Sequence, residues 1–155
     1  MELERVTRFE DIHEITQLKA RSCRCVDTKD WSGYAQCLAA DFRLVGDGGV
    51  RQGREEVVAF VSKALEHATT VHHVHPPEIT LTGPETATAI WPMNDYVELP
   101  TPGGQPFVLR GYGHYIEEYV RTADGWRLQC STLQRLRVDT EGDVPRPVVG
   151  LGRET

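Results

Sequence analysis

Apolar positions along the chain follow two periods, and the change falls near Thr70. Before it, Ile12, Ile15, Leu18 and Cys25 or Val26 recur at roughly helical spacing, which predicts a first amphipathic helix running to about Val26. Thr7-Arg8-Phe9-Glu10 has the spacing of a capping box and marks its start. Asp27-Thr28-Lys29-Asp30 interrupts the pattern, and Trp31 to Ala40 reads as a short second helix with Trp31, Tyr34 and Leu38 on one face. Phe42 to Val45 predicts a short strand ending in the turn-rich Gly46-Asp47-Gly48-Gly49. Gly53 to about His67 predicts a third helix, with Val57, Phe60, Val61 and Ala64 as its stripe.

From Thr70 the period is two. Strands are predicted over Val71 to Thr82, Thr86 to Glu98, Phe107 to Arg121 and Trp126 to Val138. Gly83-Pro84, Pro100 to Gly104 and Ala123-Asp124-Gly125 suit hairpin connections. Pro76-Pro77, Pro92, Gly111 and Gly113 are candidate bends or bulges. Helices first and long strands afterwards predict an α+β domain over residues 1–138, with three N-terminal helices packed on a curved antiparallel sheet. A Gly/Pro-rich tail, 139–155, follows and is expected to be extended.

Composition narrows the function classes. A chain of 155 residues, 39% apolar and 26% charged, fits one globular domain with a full core. The net charge of −6 argues against nucleic acid as a partner. No apolar run approaches the roughly 18 residues of a membrane span, and the charged N-terminus lacks an apolar leader, so a cytoplasmic protein is expected. Cys23 and Cys25 stand two apart in a helical stretch, and Cys37 and Cys130 stand alone. Without a Cys-x-x-Cys pair, neither a zinc ribbon nor a disulfide framework is expected.

Candidate chemistry gathers on two strands. Thr70-Val71-His72-His73-Val74-His75 and Ile90-Trp91-Pro92-Met93-Asn94-Asp95-Tyr96 put a histidine and a carboxylate on neighbouring strands. Asp95 shares a strand face with Met93 and Trp91, which would give apolar walls and one convergent polar group. His72 and Val74 point one way; His73 and His75 point the other. A metal would need His73 and His75 plus His114 or Glu117, without a recognisable ligand spacing, and none is expected. Asp27 either caps the second helix or orients His72; Asp30 reads as a plain cap. An inward Arg135 would pair with Asp95 or hold a substrate oxyanion. Tyr112 and Tyr115 are rim aromatics or phenolic donors.

Several of these strings together resemble the SnoaL-like branch of the nuclear-transport-factor-2-like superfamily. They are Val26-Asp27-Thr28-Lys29-Asp30-Trp31, the histidine segment from Thr70 to Ile79, Ala89 to Tyr96, Gly111-Tyr112-Gly113-His114-Tyr115 and Gly125-Trp126-Arg127. The resemblance is nearest to bile-acid-dehydratase-like and scytalone-dehydratase-like proteins. It implies a cone-shaped fold, association as a homodimer or homotrimer, and a site made of Asp27, His72, Asp95 and Arg135. A family tyrosine would fall at Ser22, so Tyr34, Tyr112 or Tyr115 would have to supply a phenol.

These readings converge on a cofactor-independent dehydratase, isomerase or cyclase acting on a small hydrophobic carbonyl compound such as a steroid or polyketide. Trp91, Met93, Tyr34, Tyr112, Tyr115, Ser22 and Leu133 are the expected pocket wall. Asp95 would hold the His72 ring, which takes a proton beside a carbonyl while Arg135 or a tyrosine hydroxyl steadies the enolate. No glycine-rich dinucleotide fingerprint follows a strand, and no cofactor is expected. The alternatives are a non-catalytic binding domain, or epoxide opening by water held between carboxylates with Arg135 paired to Asp27 or Asp95.

Overall fold

A computed structural model of the chain describes residues 2–46 and 48–143. Helix α1 (Glu2–Asp27) and the short α2 (Trp31–Cys37) precede strands β1 (Leu38–Gly46) and β2 (Gly49–Gln52) and helix α3 (Arg54–Leu65). Strands β3 (Thr69–Val74), β4 (Glu78–Leu81), β5 (Thr86–Leu99), β6 (Phe107–Thr122) and β7 (Gly125–Glu141) complete the domain. The sheet order is β2-β1-β7-β6-β5-β3, with β4 also paired to β5.

Several features differ from the sequence expectation. Helix α2 ends at Cys37 and β1 starts at Leu38, so residues 38–40, expected in the second helix, lie in a strand. Helix α1 starts before Thr7, so the Thr7–Glu10 spacing is not a helix start. Val71 to Thr82 is two strands, because Pro76 and Pro77 cannot donate to a ladder; β3 pairs with the second half of β5 and β4 with the first. The sheet is mixed: β1 runs parallel to β7. Finally, β7 continues to Glu141, past the expected domain end at 138, and the tail from 144 onward lies outside the described residues.

Alternation decides what faces the helices. The β5–β6 register sets Ala87 opposite Tyr119, Ala89 opposite Glu117, Trp91 opposite Tyr115, Met93 opposite Gly113 and Asp95 opposite Gly111. These side chains share one face of the sheet, because directly opposed antiparallel residues project to the same side. Register shifts between Tyr112 and Gly113 and between Glu118 and Tyr119 insert bulges against β7 and add local twist. The inner face packs on α1, α2 and α3 through Ile15, Leu18, Leu38, Phe42, Val57 and Trp91, all buried. Ile12, expected on the apolar stripe of α1, is instead exposed.

Polar ties fix α1 on this surface. Near its start, buried Asp11 accepts from Trp126 Nε1 at 3.1 Å and from Arg121. At its end Asp30 caps α2, accepting from the Gly33 N–H at 2.8 Å. That leaves Asp27 free of the capping role and able to reach β3.

Candidate active site

Between the helices and the inner face lies a cavity of about 250 Å³. Val26, Leu44, Phe60, Val61, Leu65, Leu128 and Leu133 make its apolar wall. Lys19, Ser22, Cys23, Tyr34, His72, Tyr115, Glu117 and Ser131 supply the polar and aromatic groups. An apolar enclosure with a few converging polar side chains is the usual make-up of a small-molecule site.

His72 is the titratable group at one side. Its Nδ1 lies 2.6 Å from Asp27 Oδ1, and its backbone N–H donates to Asp27 Oδ2 at 2.8 Å. Thr70 Oγ1 also donates to Asp27 Oδ1, at 2.9 Å, and accepts from Lys29 Nζ at 2.9 Å. Burial alone would push the Asp27 carboxyl up. The hydrogen bonds from the His72 ring and backbone, the His72 charge and the Thr70 hydroxyl outweigh it, and the carboxyl is held below its ordinary value. An ionised Asp27 accepting from Nδ1–H fixes the imidazole as the tautomer whose Nε2 carries the lone pair. Among the described residues, Nε2 has no hydrogen-bond partner, and His72 lines the cavity.

A second cluster occupies the floor. Lys19 and Glu117, 4% and 1% exposed, form an ion pair at 2.6 Å. The Glu117 carboxylate also accepts from Ser131 Oγ at 2.8 Å and from Tyr119 OH at 2.5 Å. The Lys19 ammonium lies 3.7 Å from the centre of the Tyr115 ring. Burial pushes the Tyr115, Tyr119 and Tyr34 phenols up, aided in each by the Glu117 charge, so all three stay protonated and serve only as neutral hydroxyls.

The structure separates the expected site residues into two groups. Asp27, His72, Ser22, Tyr34, Tyr115 and Leu133 stand in or beside the cavity. Asp95, Arg135, Trp91, Met93 and Tyr112 do not line it. His72 and Asp95 are indeed opposite one another across β3 and β5. Asp95, however, is gripped by Arg135 through Nη1 and Nη2 at 2.6 and 2.8 Å, so the expected Asp95–His72 pair is replaced by Asp27–His72. A guanidinium fork satisfies both carboxylate oxygens at once, which a single imidazole N–H cannot. That grip is one of the two roles expected for Arg135, and it takes the guanidinium away from the other, holding a substrate oxyanion.

The other three are displaced for simpler reasons. Trp91 is core, its Nε1 donating to Tyr119 OH at 3.0 Å. Met93 is buried beside Gly113. Tyr112 is on the outer face and 43% exposed. The Ser22 hydroxyl donates to the Lys19 carbonyl at 2.8 Å, so it closes a helical turn where a phenol would have reached inward.

Lys19 and Ser131 were missed, and Glu117 had been considered only as a metal ligand. The signal was present: Lys19 interrupts the buried stripe of α1 between Leu18 and Ser22, and Glu117 occupies an inward position between Tyr115 and Tyr119. A charge at a core-facing position marks either an ion pair or a functional group. His73 and His75 face away from the cavity, with His75 Nε2 at 2.8 Å from Asn94 Oδ1. No group of three metal-ligating side chains occurs among the described residues.

Comparison with known proteins gives the family. The SnoaL-like domain matches residues 7–132, most of the chain. The chain belongs to the SnoaL-like family. A curated relative of this SnoaL-like protein is the probable cyclase FGR4 of Gibberella zeae, 22% identical over 134 residues, covering 79% of this chain and 89% of the relative. Among solved structures it resembles an NTF2-like protein from Novosphingobium aromaticivorans (TM-score 0.65, 23% identity, 86% of this chain and 87% of the other). It also resembles the hexachlorocyclohexane dehydrochlorinase LinA-type3 from Novosphingobium barchaimii LL02 (TM-score 0.72, 14% identity, 91% and 94%). The α+β cone of the NTF2-like fold is thus shared, as the sequence resemblance implies. No helix among the described residues is long and apolar enough to cross a membrane.

Proposed function

We propose that this SnoaL-like protein is an enzyme of lyase or isomerase type that moves a proton on a small hydrophobic carbonyl compound held in the cavity. One observation carries the reading: Asp27 Oδ1 lies 2.6 Å from His72 Nδ1 on the cavity wall, leaving Nε2 as the base. Membership of the SnoaL-like family, and the likeness to a probable cyclase and to a dehydrochlorinase, support a small-molecule-converting enzyme.

His72 Nε2 removes a proton from the carbon beside the substrate carbonyl, and the released electron pair moves onto the carbonyl oxygen. The imidazolium is stabilised by the ionised Asp27. When the β-carbon carries a hydroxyl, collapse of the enolate expels it, and the proton on Nε2 leaves with it as water. Return of that proton to a different carbon shifts a double bond instead, and attack of the enolate on a second carbonyl closes a ring. All three outcomes share the first step.

The test is exchange in heavy water, followed by mass spectrometry, over a panel of hydroxy-ketones, cyclic enones and phenolic ketones. Wild-type protein should introduce deuterium beside the carbonyl of the compounds it binds. His72→Ala should abolish exchange, and Asp27→Asn should slow it by about 10²–10⁴-fold. Binding without exchange on any compound would sink the reading and leave a binding domain.

A further inference from the structure

We propose that Lys19 is the anchor for the substrate's oxygen, and that the cavity selects compact, one- or two-ring carbonyl or phenolic compounds that ionise at that oxygen. The proposal deepens the proton-transfer reading and rests on it. An enolate formed at His72 needs a donor for its developing charge. Arg135, expected in that role, is occupied by Asp95 and does not line the cavity. Lys19 does line it.

The ammonium is arranged to accept a further partner. Of its three N–H groups, one goes to Glu117 Oε1 at 2.6 Å, and the Tyr115 ring lies under the nitrogen at 3.7 Å. No other acceptor meets Nζ among the described residues, so one donor is left over. The Glu117 carboxylate, in contrast, is already met by Lys19, Ser131 and Tyr119. The surplus hydrogen-bonding capacity of the floor is therefore a donor, and it suits an oxygen with negative charge.

The pair is also a poor structural device. Apolar residues of similar size commonly hold such a position as well as a buried ion pair does. Its presence within a cavity that also holds the His72 base points to chemistry at this place.

The position fits the division of labour. Lys19 lies eight residues before Asp27 on the same helix, so one rigid element carries both the charge that holds the base and the charge that meets the oxygen. During reaction Lys19 only donates a hydrogen bond: the proton goes from carbon to His72 Nε2, the electron pair goes to oxygen, and no proton leaves the ammonium. The volume of about 250 Å³ lies below the roughly 300–1,000 Å³ usual for sites of drug-sized ligands, which favours one or two rings over a four-ring skeleton.

The experiment uses 4-nitrophenol, a one-ring probe whose anion absorbs in the visible, titrated against the full chain across pH. Wild-type protein should bind the phenolate at least about tenfold more tightly than the phenol, lowering the probe's apparent pKa by a unit or more. The preference should disappear in Lys19→Met/Glu117→Gln, which removes both charges and leaves none unpaired, and should persist in Lys19→Arg and His72→Ala. Equal binding of phenol and phenolate by wild type, absence of binding, or an unchanged preference in the double variant would each overturn the assignment. Should the double variant not fold, the Lys19 Cε signal in a ¹H–¹³C spectrum decides: it must move on adding the probe, and a static signal overturns the proposal. Loss of the preference in His72→Ala would place the anion at the histidine and overturn it as well. A phenolate preference without deuterium exchange on any carbonyl compound would keep the anion site and remove the proton-transfer reading.

Discussion

At Asp27 two influences oppose each other, since burial favours the protonated acid and three donors favour the carboxylate. The donors win, so the folded-state pKa lies below that of the unfolded chain. The resulting stabilisation is complete above about pH 4 and is lost as pH falls through the lowered folded value. Thermal midpoints of wild type and Asp27→Asn should therefore differ most above about pH 4 and draw together as pH falls below it, which a calorimetric series checks directly. Alternation along β3 puts His72 and His73 on opposite faces without choosing between them, and the choice of His72 as the acid–base group came from the family resemblance. Its partner was legible only as one of two alternatives: Asp27, read as either a cap or the group that orients His72, and Asp95, its neighbour across the strands. Backbone register does bring Asp95 opposite His72, but side-chain reach decides who bonds whom. The competition is between a guanidinium two strands away and a helix end whose approach no local pattern encodes.

Among the elements, long strands with strict alternation were readable nearly end to end, and the three helices were readable in order. Short or non-local features were not. Strand β2 has four residues, too few for a period, and no strand is expected there from the sequence. The parallel contact between β1 and β7 joins segments some ninety positions apart and leaves no mark in either one. Gly111 was legible as a special position, though the reason is packing and not a turn: a Cβ there would overlap Arg135 Nη1 and Asp95 Oδ1, which cross over it from β7 and β5. Gly111→Ala should accordingly destabilise the protein by about 1–3 kcal/mol. Urea unfolding should show the midpoint lowered at an unchanged slope.

For the whole molecule, the buried Lys19–Glu117 pair sets function against stability. Lys19→Met alone strands the Glu117 carboxylate in the core and should cost about 3–5 kcal/mol, whereas Lys19→Met/Glu117→Gln should recover most of that loss in urea denaturation. The helix that carries Lys19 is joined to the sheet at three polar points, Asp11, Lys19 and Asp27, spaced eight residues apart and met by β6 and β7, by β6, and by β3. An apolar stripe alone would let such a rod slip by one turn with modest loss, because Leu and Ile are largely interchangeable partners. Three directional contacts forbid it, since a shift of one turn would break all of them together. Heat inactivation and the loss of the sheet are therefore expected to coincide, with the cavity opening only as the sheet itself comes apart.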